Sequence, residues 1–135
     1  MKMVVEKYVP DGLYGFLSDS DQSGLFFHLS VFDPGAYIGE APVPPIVGEA
    51  VEVSLTDGRV SQCNRIHTPV QISGEIDWFS DEKGYGFITG PEEQYFLHRA
   101  EVLGGRLPLK GRRVSFYVTE QERKPLRACY VTVEI

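Results

Sequence analysis

The fold class is all-β, in the form of two tandem five-stranded barrels, and three observations predict it. The runs between turns are rich in Val, Ile, Thr and aromatic residues, and no segment sustains a helical period. Fourteen glycines and nine prolines in 135 residues cut the chain into short pieces, the punctuation of strands joined by turns. Four sequence blocks also occur twice in the same order. Tyr14-Gly15-Phe16-Leu17 returns as Tyr85-Gly86-Phe87-Ile88, an offset of 71. Leu25-Phe26-Phe27-His28 returns as Tyr95-Phe96-Leu97-His98, an offset of 70. Gly48 to Val53 returns as Gly111 to Phe116 at 63, and Cys63 and Ile66 as Ala128 and Val131 at 65. The domains are then 1–68 and 69–135, with the junction near His67 to Gln71.

In the first repeat the strands are expected near 3–9, 13–18, 24–29, 49–55 and 60–67. Pro10-Asp11-Gly12 and the run Asp19 to Ser23 supply the first two turns. A longer connection from Ser30 to Val47 carries Pro34, Pro42, Pro44 and Pro45. In the second repeat the strands are expected near 72–79, 84–89, 94–98, 112–119 and 126–134. The turns are Ser80 to Lys83 and Gly90 to Glu93, and the long connection is seven residues shorter. Five short strands without a helix favour closure, because an open sheet this small leaves its edges unpaired.

The chemistry concentrates in the second repeat. Within Lys83-Gly84-Tyr85-Gly86-Phe87-Ile88, alternation sends Tyr85 and Phe87 to one face, and Gly84, Gly86 and Ile88 to the other. In the following strand Phe96 and His98 share a face, opposite Tyr95 and Leu97. If the two strands form a hairpin, the outward residues make one aromatic patch, which Trp78 extends. Aromatic side chains in a β-protein are usually core. Here Ile88, Tyr95 and Leu97 already supply the inward set. Rings aligned on an exposed face are what stacking of unpaired bases requires.

These residues resemble the cold-shock domain of bacterial cold-shock proteins and Y-box proteins. In that family a WF…KGFGFI stretch is followed by VFVH. Here Trp78-Phe79, Lys83 to Ile88 and Tyr95 to His98 stand in that order and spacing, from Gly74 to about Val133. The resemblance implies an OB-fold barrel in each repeat and binding of single-stranded RNA or DNA. It places Trp78, Lys83, Tyr85, Phe87, Phe96 and His98 at family binding positions. Arg99 stands where the family often has an aromatic residue, and its guanidinium also stacks or holds phosphate. Asp77 departs from the usual lysine, and Glu92 and Glu93 add negative charge beside the face. A Lys-Gly-Tyr-Gly-Phe run also fits an RNA-recognition motif, but that fold needs helices and an earlier aromatic motif.

The first repeat is a divergent copy. Tyr14, Phe16, Phe26 and His28 keep the aromatic face, and Tyr8 stands near the tryptophan position with one residue fewer before the next motif. Leu13 replaces the first glycine, Gly12 the lysine, and Leu29 the residue after the histidine. This copy either binds bases weakly or serves as a packing module.

The formal net charge of −6 is the wrong sign for a general phosphate binder. Residues 1–70 carry four Lys/Arg against nine Asp/Glu, whereas residues 71–135 carry nine against ten. Arg106, Lys110, Arg112, Arg113, Arg123, Lys124 and Arg127 are either solvated surface or a local phosphate track. The rival reading is a protein-interaction module in which one or both barrels contact a protein partner, the acidic first domain foremost, with the aromatic faces as contact surfaces. An enzyme is not expected, since no nucleophile–base pair or carboxylate cluster is visible. Role assignments such as RNA chaperone or regulator of transcription or translation rest on the resemblance alone.

No cofactor or metal is expected. Cys63 and Cys129 form no CxxC pair and read as semi-buried thiols of a reducing compartment. His28 and His98 each lack a second ligand nearby. Asp19 to Gly24 imitates the start of a calcium loop, but Ser30 stands where the bidentate glutamate belongs. Without an apolar leader or a spanning run, a cytoplasmic protein with no membrane contact is expected.

Overall fold

In a computed structural model, residues 1–35, 42–119 and 125–134 are described. Their contacts divide the chain into two units, Met1–Thr68 and Pro69–Ile135. Arg123 and Lys124 of the basic set lie outside the described residues, as do positions 36–41 of the long connection.

The first unit contains β1 (Lys2–Val9), β2 (Tyr14–Ser18), β3 (Leu25–His28), β4 (Phe32–Asp33), β5 (Ala50–Thr56) and β6 (Arg59–Arg65). They form one curled sheet in the order β3-β2-β1-β5-β6-β4. The second contains β7 (Val70–Ser80), β8 (Tyr85–Thr89), β9 (Gln94–His98), β10 (Arg113–Val118) and β11 (Cys129–Val133), in the order β11-β10-β7-β8-β9. The described residues hold no α-helix, only short 3₁₀ turns. The two-residue β4, parallel to β6, lies in the connection expected to be without a strand.

Alternation fills each interior. Met3, Val5, Leu17, Phe27, Val51, Val53 and Cys63 are buried in the first unit, and Ile76, Ile88, Leu97, Val114, Phe116 and Val131 in the second. Each such apolar side chain contributes about 1.5–3 kcal/mol by leaving water. Burial and the nearby Glu49 charge push the Cys63 thiol up to about 12, only partly opposed by Arg65.

A bulge in the first strand curls each sheet. In β1 the register shifts between Val5 and Lys7, and in β7 between Ile76 and Trp78. The extra residue is acidic in both, and its carboxylate reaches the start of the third strand. Glu6 accepts from the Gly24 N–H at 3.0 Å, and Asp77 from the Gln94 side-chain amide at 3.0 Å. Glycine is required opposite the bulge. A Cβ on Gly86 would stand 2.1 Å from the Trp78 carbonyl, and one on Gly15 2.4 Å from the Lys7 carbonyl.

The register corrects one repeat block. Cys63 matches Val131, not Ala128: Phe32 bridges Cys63 in parallel just as Val102 bridges Val131. The offset there is 68, because the last hairpin is longer in the second unit. Val51 faces Arg65, whereas its counterpart Val114 faces Val133, five residues further on.

The first unit has a polar device that sequence reading missed. Arg65 grips Glu49 with Nε–Oε1 at 2.7 Å and Nη2–Oε2 at 2.8 Å, and both side chains are buried. Arg65 also donates to the carbonyls of Val43 and Pro44, and Glu49 accepts from the Ile46 N–H. The guanidinium lies 5.0 Å from the Phe32 ring centroid. Every strong polar atom of the pair is therefore used, and the proline-rich segment Val43–Ile46 is tied to the barrel wall.

Candidate nucleic-acid interface

The β7–β8–β9 ladder sets the second-unit face. Trp78 pairs across the strands with Phe87, Phe87 with Phe96, and Tyr85 with His98. Outward alternation then brings four rings into one contiguous row. Trp78 lies 5.8 Å from Tyr85 and 5.5 Å from Phe87. Phe96 lies 5.9 Å from Tyr85, nearly parallel at 28°, and 5.8 Å from Phe87. Each ring holds its neighbours in place, so little side-chain entropy remains to be lost on stacking. Trp78 is 39% exposed, an unusual state for the largest side chain in a small domain.

His98 stands at the end of this row and is fixed by its own backbone. Its Nδ1 accepts the Ala100 N–H at 3.0 Å, capping the 3₁₀ turn Arg99–Glu101. A nitrogen that accepts carries no proton, so the neutral ring keeps its N–H on Nε2, a donor available to a ligand.

The charged residues sort differently. Lys83 is exposed, and its ammonium has no partner among the described residues. Arg99 is instead engaged with the carboxylate and carbonyl of Asp81, tying the turn before β8 to the end of β9. Burial, then the charges of Glu93 and Glu92, push the Tyr95 hydroxyl up, which registers the negative field on the other side of this hairpin.

The first unit repeats the ring row with one member missing. Tyr14, Phe16 and Phe26 lie within 5.6–6.1 Å of one another, and Phe26 is 52% exposed. His28 caps its own turn, with Nδ1 accepting the Ser30 N–H at 3.0 Å. Tyr8 does not join them. It pairs with Gly15 as Phe79 pairs with Gly86, and both side chains pack against their cores. Burial accordingly raises the Tyr8 hydroxyl. The bulge at Glu6 turns Tyr8 inward and Lys7 outward, so Lys7, opposite Phe16, holds the place that Trp78 holds opposite Phe87. An ungapped offset of 71, the offset of the β2 block, finds this match in the sequence.

The run resembling a calcium loop closes on itself: Asp19 Oδ1 accepts the N–H groups of Asp21 and Gln22, both at 2.9 Å. Among the described residues no helix is long and apolar enough to cross a membrane.

Residues 72–134 match the model of the 'Cold-shock' DNA-binding domain. Major cold shock protein CspA of Bacillus cereus is 39% identical over 57 residues, covering 40% of this chain and 85% of that protein. Cold shock protein CapA of Pseudomonas fragi is 45% identical over 60 residues, 42% of this chain and 92% of that protein. Cold shock-like protein CspE of Escherichia coli is 35% identical over 63 residues, 43% and 90% respectively. Among solved structures, drosophila Unr CSD456 aligns with 99% of this chain and 60% of its own length, at 17% identity and a TM-score of 0.46. On the sequence matches, which cover most of each bacterial relative, the chain belongs to the cold-shock domain family.

Proposed function

We propose that this protein binds single-stranded RNA or DNA by stacking successive bases on the ring row of the second unit. One observation carries the reading: Trp78, Tyr85, Phe87 and Phe96 form an unbroken chain of ring contacts on an open sheet face. Bases lie on those four rings, His98 Nε2 donates to a base or sugar, and Lys83 meets a phosphate. Each stack contributes about 1–3 kcal/mol. Three or four, after ordering costs, give affinity of about micromolar or better.

Arg99 is a weaker candidate for phosphate contact, because it must first leave Asp81. In the first unit Tyr14, Phe16 and Phe26 offer a shorter row, with Lys7 supplying charge in place of a fourth ring. His28 would act there as His98 does. No catalytic step is involved, in keeping with a family of non-enzymatic nucleic-acid binders. A role as RNA chaperone or as regulator of transcription or translation in the cytoplasm fits this mode of binding, and the two buried cysteines, not joined in a disulfide, suit a reducing compartment.

The test is a binding measurement with short labelled pyrimidine oligonucleotides, using the intact chain and the variants Tyr85→Ala and Phe87→Ala. Each variant is expected to weaken binding about tenfold or more, with little loss of stability, since both side chains are only half-buried. Affinity unchanged in both variants would refute the reading.

A further inference from the structure

The ring row of the second unit has a polar border. Asp77 is the bulged residue of β7, between Ile76, which pairs with Ile88, and Trp78, which pairs with Phe87. Gln94 begins β9, opposite Thr89 and two residues before Phe96. The Asp77 carboxylate accepts from the Gln94 amide at 3.0 Å, so this bond spans β8. Beneath β8 the interior is filled by Ile88, Tyr95 and Leu97, all buried. The bond therefore crosses on the outward side, beside Phe87 and Thr89. The first unit has no such bridge, since Glu6 is met there by the main-chain N–H of Gly24.

Chemistry fixes what this border offers. A carboxylate only accepts, so the amide turns its nitrogen to Asp77. Asp77 Oδ1 and Gln94 Oε1 are left, both acceptors and both without a partner among the described residues. Asp77 is half-buried and held, so its carboxylate keeps one orientation. Lys110 and Arg113 share a hollow of about 460 Å³ with Glu75 and Asp77. Cations balance carboxylates there, so a phosphate passing the border is not driven off.

We propose that Asp77, positioned by Gln94, selects bases with an exocyclic amino group at the stack on Phe87 and Trp78, and so favours cytosine over uracil or thymine. This rests on the stacking reading above and names its base preference. Cytosine presents an N4 amino donor, which a carboxylate accepts. Uracil and thymine present the O4 carbonyl at the same place, an acceptor set against an acceptor. Stacking alone tolerates every base, because each has a π-face. The border is what discriminates.

Titration of the full chain with short oligo(dC) and oligo(dU) of equal length tests this, read as the ratio of the two affinities. A change in overall charge or in fold moves both affinities together and leaves the ratio alone. The intact chain is expected to favour oligo(dC) about fivefold to tenfold, the worth of one hydrogen bond to an exposed charged group. Asp77→Asn keeps an oxygen for Gln94 and puts an amide donor where Oδ1 stood, so the ratio should fall to about one or below. Gln94→Ala should lower the ratio by releasing the carboxylate. Equal affinity of the intact chain for the two oligomers, with both weakened by Phe87→Ala, would overturn the selection and leave the stacking reading in place. A cytosine preference that persists in Asp77→Asn would overturn it as well. Failure of both oligomers to bind would overturn it together with the stacking reading.

Discussion

Lys7 stands opposite Phe16 in the β1–β2 ladder at the position that Trp78 occupies opposite Phe87 in β7–β8. Both follow a bulged acidic residue, and both are exposed. The two faces therefore differ at one end by an indole against an ammonium, a stacking platform against a point charge. Lys7→Trp is expected to add a stack of about 1–3 kcal/mol to oligonucleotide binding by the first unit. It should also lower the slope of log affinity against log salt by about 0.7. Both are best measured with Tyr85 and Phe87 already replaced by Ala, so that the second face is silent.

Glu49 and Arg65 are buried together, whereas their counterparts in the second unit are exposed Arg112 and buried Val133. Removing one member leaves the other charged and unpaired. Arg65→Met alone should cost about 3–5 kcal/mol in urea unfolding. Combining it with Glu49→Gln should recover part of that loss, because no buried charge then remains.

Leu13 has φ 57°, in the left-handed region, at the place where Gly84 has φ 78°. The two carbonyls make equivalent bonds, to the N–H of Leu29 and of Arg99 respectively. Leu13→Gly should therefore stabilise the first unit by about 1 kcal/mol. Gly84→Ala should cost about as much through backbone strain alone, since its Cβ would meet nothing within 4 Å. Gly86→Ala should cost distinctly more, because there the bulge carbonyl must move. Thermal melts of the three variants check the order.

Glu101 sits behind His98 in the turn after β9, and burial raises its carboxyl above the usual range, partly opposed by Arg127 and His98. A raised acid binds its proton more tightly in the folded state. It therefore favours folding at low pH, and this contribution is lost as pH rises through the folded value. Glu101→Gln should raise the midpoint of thermal unfolding at pH 7, with the gain shrinking to nothing near pH 4.

The strands were legible because alternation and turn residues agree, as in Tyr85 to Ile88 between Ser80–Gly84 and Gly90–Glu93. The same alternation separated Tyr85, Phe87 and Phe96 from Ile88, Tyr95 and Leu97. Alternation fails where a bulge inserts a residue, and Glu6 is such a place. Beyond it each side chain changes face, which turns Tyr8 inward and leaves Lys7 outside. The Glu49–Arg65 pair was not legible because its partners are 16 residues apart on different strands, with no local pattern linking them. Nor was the Arg99–Asp81 contact, 18 residues apart, which depends on how the β8 turn folds against β9.

Salt and fluorescence report on the central claim together. Trp78 is the chain's only tryptophan, and it stands at the edge of the ring row. Its emission is read while a short pyrimidine oligonucleotide is added at low salt. The account predicts saturable quenching, at least tenfold weaker in Tyr85→Ala, with a salt slope no steeper than about −2 because few phosphates are neutralised. An emission that does not change, together with no binding by an independent method, would contradict it.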